Sequence, residues 1–429
     1  MLWFCPLSAT CSCCQLLRQY PQDREYCHTA LRQVVGEIMT VRPRSVIVLH
    51  YTSVWLPQTA TWLYDQLTHL PEWVQCHVVC ESVTNLEQFA IPNLQCLSEE
   101  RRLRYAWDTA LRKLRFRNHL GSLSVEIRKV RANIVHSHFG NVAWANHRLV
   151  ERAGARHIVT FYGLDVNQLP TLDTRWRARY RELFVNVDRV LCEGPHMARC
   201  IVQLGCPEAK VCVHHLGVQV DKIPYCPRNW KPGTPLRVLI AATFREKKGI
   251  PYALAALGAI HGEIPIELTV IGDATAEPRS QAEKARIFKE LEKHSLWPHT
   301  RLLGFCSYEQ LMREAYDHDV FLSPSVTAMD GDTEGGAPVG ILQMAASGMP
   351  IVSTRHCDIP NVLPASADLA EERDVAGLVK VLRWFVENAG TWEPRLAEAR
   401  RHVVLNFDAH IQGLRLAEIY DEVAGSSAR

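Results

Sequence analysis

The stretch Asp332-Thr-Glu-Gly-Gly-Ala-Pro338 sets a carboxylate, two glycines and a proline directly before an apolar, helix-compatible run at 339–346. Backbone amides at a helix start have no intrahelical partners, so a loop of this kind can hold a diphosphate. Gly335 and Gly336 let a ligand approach the backbone closely, and Glu334 is an acceptor suited to sugar hydroxyls. A second cluster, Thr243-Phe-Arg-Glu-Lys-Lys-Gly249, supplies Arg245 and Lys248, cations able to neutralise a departing diphosphate. Alone, this cluster reads as a solvated charge run. Paired with the first, it makes a pocket for phosphate and sugar.

Such a pocket needs strand ends to carry it. Apolar runs at 44–51, 76–80, 132–136, 157–161 and 187–192 read as strands, separated by helix-compatible segments such as 58–70 and 98–114. The pattern lapses at 223–235, a span with four prolines and no hydrophobic period. It then restarts with strands at 236–242, 266–271, 301–303 and 320–322 and helices at 250–261, 280–294 and 308–318. This alternation predicts an α/β protein with two Rossmann-like, doubly wound domains facing a central cleft. Both clusters fall at carboxyl strand ends of the second sheet, where open α/β sheets bind ligands.

The expected organisation is an extension of uncertain role at 1–38, a first domain at 39–222, a linker at 223–235 and a second domain at 236–405. A C-terminal helix at 406–429 is expected to pack back on the first domain. The 429 residues suffice for two cores. A formal charge of +2 gives no electrostatic case for nucleic acid. Apolar stretches such as 211–218 and 236–243 stop short of the roughly 20 residues that span a bilayer. Among the 15 cysteines, Cys192, Cys212 and Cys306 sit singly in apolar runs, the pattern of reduced buried thiols in a cytoplasmic protein. Cys11, Cys13 and Cys14 have no second Cys/His pair at zinc spacing, so no metal site is assigned, and residues 1–7 lack a basic leader.

In the first half, His138 stands at a strand end, where an imidazole can orient an acceptor hydroxyl. His136 lies deeper in the same strand and reads as a histidine satisfied by the backbone. Asp165 either binds acceptor hydroxyls or caps a helix. Trp55, Trp62 and Trp73 with Leu56 read as core, with a membrane-facing or acceptor surface as the second reading. No Ser-His-Asp signature, phosphate-binding loop ending in Lys-Ser/Thr, or His-Glu-x-x-His run supports a hydrolase or kinase.

Six ordered segments resemble the retaining glycosyltransferases of the two-Rossmann-domain (GT-B) architecture, in the family 4 branch that includes colanic acid and amylovoran-type exopolysaccharide transferases. They are Val135-His-Ser-His-Phe-Gly140, Thr160-Phe-Tyr-Gly-Leu-Asp165, Gly205-Cys-Pro207 leading to His214-His-Leu-Gly217, Phe244-Arg-Glu-Lys-Lys-Gly249, Glu334-Gly-Gly-Ala-Pro338 and Ala346-Ser-Gly-Met-Pro-Ile-Val-Ser-Thr354. The resemblance implies a nucleotide-sugar donor, UDP-linked by expectation, held by the second domain as co-substrate with no cofactor or obligatory metal. It implies an acceptor, a glycan or lipid-linked oligosaccharide, held by the first.

By that likeness Lys248 and Glu334 act in catalysis with His138. Arg245, Gly335, Gly336, Ala337, Pro338, Val339 and Gln343 complete the donor site, while His138, Tyr162 and Asp165 face the acceptor. Peripheral association with the inner face of the plasma membrane fits a lipid-linked acceptor. Gln343 stands where the family usually has a second glutamate, Thr243 where it has a basic residue, and Tyr162 where it often has histidine. These departures keep two other readings open, a nucleotide-sugar epimerase of the same architecture and a non-catalytic nucleotide-sugar-binding subunit.

Overall fold

The computed structural model describes residues 45–56 and 61–425; the 1–38 extension with its cysteine cluster lies outside them. Strands β1 (Val46–Trp55), β2 (Val74–Val83), β3 (Leu94–Cys96), β4 (Ile134–His138), β5 (Arg156–Phe161), β6 (Arg189–Cys192) and β7 (Val211–Val213) form the first sheet. Their order is β3-β2-β1-β4-β5-β6-β7, parallel throughout. Strands β8 (Leu236–Ala241), β9 (Ile266–Ile271), β10 (Thr300–Gly304), β11 (Val320–Ser323) and β12 (Ile351–Ser353) form a second parallel sheet, ordered β10-β9-β8-β11-β12.

Central strands are buried on both faces: every residue of β4 is buried, including His136, Ser137 and His138, as are all but the first residues of β5 and β6. In both sheets the chain order reverses beside the first strand, between β1 and β4 and between β8 and β11, placing a crevice at their carboxyl ends.

The expected linker differs from what the fold shows. Trp230 belongs to the second domain's core. The buried Arg228 guanidinium donates to the carbonyls of Ala315, His318 and Ser347 at 2.7, 3.1 and 2.9 Å. A proline-rich segment without apolar period is therefore anchored by one arginine and one tryptophan. The chain crosses earlier, near Val218.

It crosses back at Asp408, between helices Trp392–Phe407 and Ala409–Gly425. The two crossings touch: Val218 N–H donates to Phe407 O at 2.8 Å and Ala409 N–H to Val218 O at 2.9 Å. Gly217 permits this approach, since a Cβ there would lie 2.4 Å from Ala409 Cα. The final helix covers the first sheet, with Leu416, Ala417 and Tyr420 packed on Val46, Val48, Ile134 and Ile158. A fully buried side chain of this size contributes about 1.5–3 kcal/mol.

Candidate active site

The loop after β8 and the loop after β11 are stitched together. Gly249, in the left-handed region at φ 62°, follows Lys248, and a Cβ on it would fall 1.9 Å from Pro324 O. Val326 N–H also donates to Lys247 O at 2.9 Å. Across this seam Lys248 Nζ donates to Glu334 Oε2 at 2.7 Å, and Ser325 Oγ donates to Glu334 Oε1 at 2.8 Å. Burial pushes the Glu334 carboxyl up, but Lys248 and Lys247 outweigh it and hold it at about 2, so it is ionised.

His356, just past β12, supports the same residue from behind. Glu334 N–H donates to His356 Nε2 at 3.1 Å, so that nitrogen carries no proton, and Nδ1–H donates to Glu372 Oε1 at 2.6 Å. Lys247 Nζ holds Asp332 at 3.0 Å and Thr333 O at 2.9 Å. Arg245 turns to another partner, Glu277 at 2.8 Å, with Asp332 at 3.6 Å.

Gly335 (φ 77°) and Gly336 form the tip of the loop, with Ala337 buried, Pro338 preceding the Val339–Ala346 helix and Gln343 half-buried upon it. The amide of Gly335 donates to Thr333 Oγ1 at 3.2 Å, and that of Gly336 donates to Glu193 Oε2, from the first domain, at 3.1 Å. Gly335 lies against Gly163, where a Cβ would come 2.6 Å from the Gly163 Cα. The cleft is therefore closed. Asn167 donates to Thr333 at 2.8 Å, Gln168 donates to Asp330 at 2.8 Å, and the Asp358 carboxylate accepts the His196 and Met197 amides at 2.8 and 3.2 Å. Beside these contacts a cavity of about 590 Å³ is lined from both domains, among others by Leu164, Gln168, Arg245, Lys247, Asp330 and Asp332.

The first-domain candidates lie beneath this cleft. His138 is fully buried: its Nδ1 pairs with Tyr162 OH at 2.7 Å and its Nε2 with His50 Nδ1 at 3.1 Å. His136 lies between Tyr420 OH and Thr160 Oγ1, both at 2.7 Å. Nitrogens of His50, His136 and His138 come within 4.8 Å of one another, as three metal ligands would. Every ring nitrogen of the three already has a partner, that of His50 Nε2 being Cys76 Sγ at 3.7 Å. Burial pushes His50 down to about 3 and His136 and His138 well below the usual imidazole range, so the trio is neutral.

Asp165 spends its oxygens on the backbone, accepting Gly140 N–H at 2.6 Å and Tyr162 N–H at 2.7 Å. It thus caps the helix Gly140–Arg152, which precedes it in the chain, and burial pushes its carboxyl up to about 6. Tyr162 also packs on Trp62, ring centroids 4.3 Å apart. Trp55 and Leu56 are fully buried and Trp73 half-buried, so these residues make no exposed patch.

Residues 226–402 match the family model described as "Glycosyl transferases group 1", and residues 59–222 match "Glycosyltransferase Family 4". The amylovoran biosynthesis glycosyltransferase AmsK of Erwinia amylovora is 30% identical over 298 residues, 68% of this chain and 71% of that one. The chain belongs to glycosyltransferase family 4. This glycosyltransferase shares its two-domain GT-B fold with solved structures. The crystal structure of Anabaena HepE in complex with UDP and glucose matches with a TM-score of 0.69 at 12% identity, covering 87% of this chain and 99% of that one. Sucrose-phosphate synthase from Thermosynechococcus elongatus matches with a TM-score of 0.67 at 14% identity, covering 89% and 100%.

Glu193, Lys247, Ser325 and His356 were not among the residues expected from sequence in the glycosyltransferase's site. Glu193 follows β6 directly and His356 lies three residues past β12, so the carboxyl-end rule, extended to every strand, is the signal that finds them.

Proposed function

We propose that the enzyme transfers a sugar, with retention, from a nucleotide diphosphate to a hydroxyl of a growing cell-surface or exopolysaccharide glycan, lipid-linked, at the cytoplasmic membrane face. The observation that carries this reading is the Lys248–Glu334 pair, 2.7 Å apart beside a glycine loop at the carboxyl strand ends. As the bond to the diphosphate breaks, negative charge grows on the leaving oxygen, and a cation already fixed there stabilises it without reorganisation. Lys248 is that cation; its chain neighbours Arg245 and Lys247 line the adjoining cavity. Glu334, ionised and held by Ser325, accepts hydrogen bonds from sugar hydroxyls. The solved complex of HepE with UDP and glucose supports a UDP-sugar donor, and the amylovoran enzyme supports a polysaccharide acceptor.

Both ring nitrogens of the buried His138 are taken by Tyr162 OH and His50 Nδ1, so the leaving diphosphate itself takes the acceptor proton in a front-face route with no covalent glycosyl-enzyme. The test is a panel of UDP-, GDP- and ADP-sugars scored for protection against heating, followed by the anomeric configuration of the product by NMR. Failure of all donors to raise the melting temperature, an inverted product, or a trapped glycosyl-enzyme adduct overturns the reading.

A further inference from the structure

Among the described residues, an apolar stripe on the first domain has nothing packed on it. On the helix Arg102–Lys113 and the turn that follows, Leu103 is 91% exposed, Trp107 65%, Leu114 66% and Phe116 77%. Positions 103, 107 and 114 stand at i, i+4 and i+11 and so share one helix face. Arg102 and Lys113 flank that face on one side and Arg104 on the other, with Arg115 beside Phe116, all four exposed. Asp108 is the sole acidic residue from 101 to 117, and it points inward, where it accepts Ser122 N–H and Oγ–H at 2.8 and 2.7 Å and pairs with Arg117. Glu99 and Glu100 are exposed one turn earlier.

The helix is pinned from its inner face by polar contacts. Tyr105 OH and Arg112 both bond Glu81 of β2, at 3.2 Å and at 3.0 and 2.6 Å. Its outward apolar stripe is therefore held in place while adding nothing to the core. An apolar stripe bearing a tryptophan and bordered on both sides by cations matches a bilayer surface. The side chains enter the headgroup boundary, and the cations meet anionic phosphates while their stems stay in the apolar layer.

We propose that residues 102–116 form a docking face for an anionic phospholipid bilayer. The surface goes beyond the donor chemistry, and its test is separate from it. The full-length protein is sedimented with vesicles of phosphatidylcholine alone and of phosphatidylcholine mixed with phosphatidylglycerol. Binding is expected with the mixed vesicles, weakening as salt is raised. The double variant Leu103→Glu, Trp107→Glu is expected to lose about tenfold or more in vesicle affinity. Both side chains are exposed, so its melting temperature and its heat protection by a UDP-sugar should stay unchanged. The proposal is overturned if the wild type ignores the mixed vesicles, or if the variant binds them equally well. It also falls if the stripe instead mediates self-association that the variant abolishes without lipid, which would make a second copy its occupant.

Discussion

The Glu193 carboxylate reaches across the interdomain cleft to the Gly336 amide at 3.1 Å, occupying one of the two loop amides that a donor oxygen would otherwise claim. Burial pushes this carboxyl up to about 8, Asp165 and Asp358 push it the same way, and Gly336 N–H and Lys247 pull it down. When the cleft opens, water returns and the group falls back toward its ordinary value of 4.5. Between about 4.5 and about 8 the closed form keeps a proton that the open form has released, so closure weakens as pH rises through that window. Small-angle scattering across that range should show the radius of gyration growing with pH in the wild type. In Glu193→Gln that growth should vanish; an identical pH response in both proteins refutes the assignment.

Gly336→Ala tests the same contact sterically. The added Cβ would fall 2.0 Å from Glu193 Cβ, too close for closure without a backbone shift. Turnover is expected to drop by about 10²-fold, the scale for a misplacement of one ångström at a reacting centre. The second domain's own core is untouched, so the melting temperature should move little. Near-wild-type turnover would mean that the closed arrangement is not the working one.

Removing Lys248 should cost both rate and stability. Lys248→Ala leaves the Glu334 carboxylate buried without its cation, a loss of about 3 kcal/mol, and removes leaving-group stabilisation worth about 10²-fold or more in turnover. Adding Glu334→Gln to that variant should restore most of the stability and none of the rate. Urea unfolding and steady-state kinetics on the single and double variants separate the two effects, and independent, additive stability losses would rule out the coupling.

Tyr420→Phe takes away the hydroxyl that satisfies His136 Nδ1 at 2.7 Å and leaves that buried nitrogen without a partner. A loss of about 1–3 kcal/mol is expected. An unchanged urea midpoint would show that the Tyr420–His136 hydrogen bond adds nothing net to the docking of the C-terminal helix.

Long central strands and the two glycine-containing loops were legible in the sequence because burial on both faces writes itself as apolar runs. The edge strands of the first sheet were not: β3 and β7 are three residues each, with mixed burial that leaves no period to read, whereas β10, an edge of the second sheet, was read at 301–303. The Lys248 and Glu334 segments announce themselves because cations, carboxylate and glycines are adjacent in the chain. Glu193 and His356 are lone polar residues after strands, and their roles arise only once two domains, or two loops, have met. Asp165 shows the limit of a strand-end rule: the position was right for a ligand, yet both its oxygens went to amides at Gly140 and Tyr162. The 102–116 surface was not legible because Leu103, Trp107 and Leu114 carry the helical spacing of an ordinary core-facing stripe, which sequence alone does not distinguish from an exposed one.

The covering of the first sheet by Ala409–Gly425 orders events on the ribosome. Domains ordinarily mature in the order in which they are synthesised. Among the described residues, the helix that covers the first sheet's apolar face comes more than 400 residues into the chain, whereas the second sheet has its strands by Ser353. The nascent first domain is therefore the aggregation-prone one. Its sheet is closed only once Ala409–Gly425 has been made.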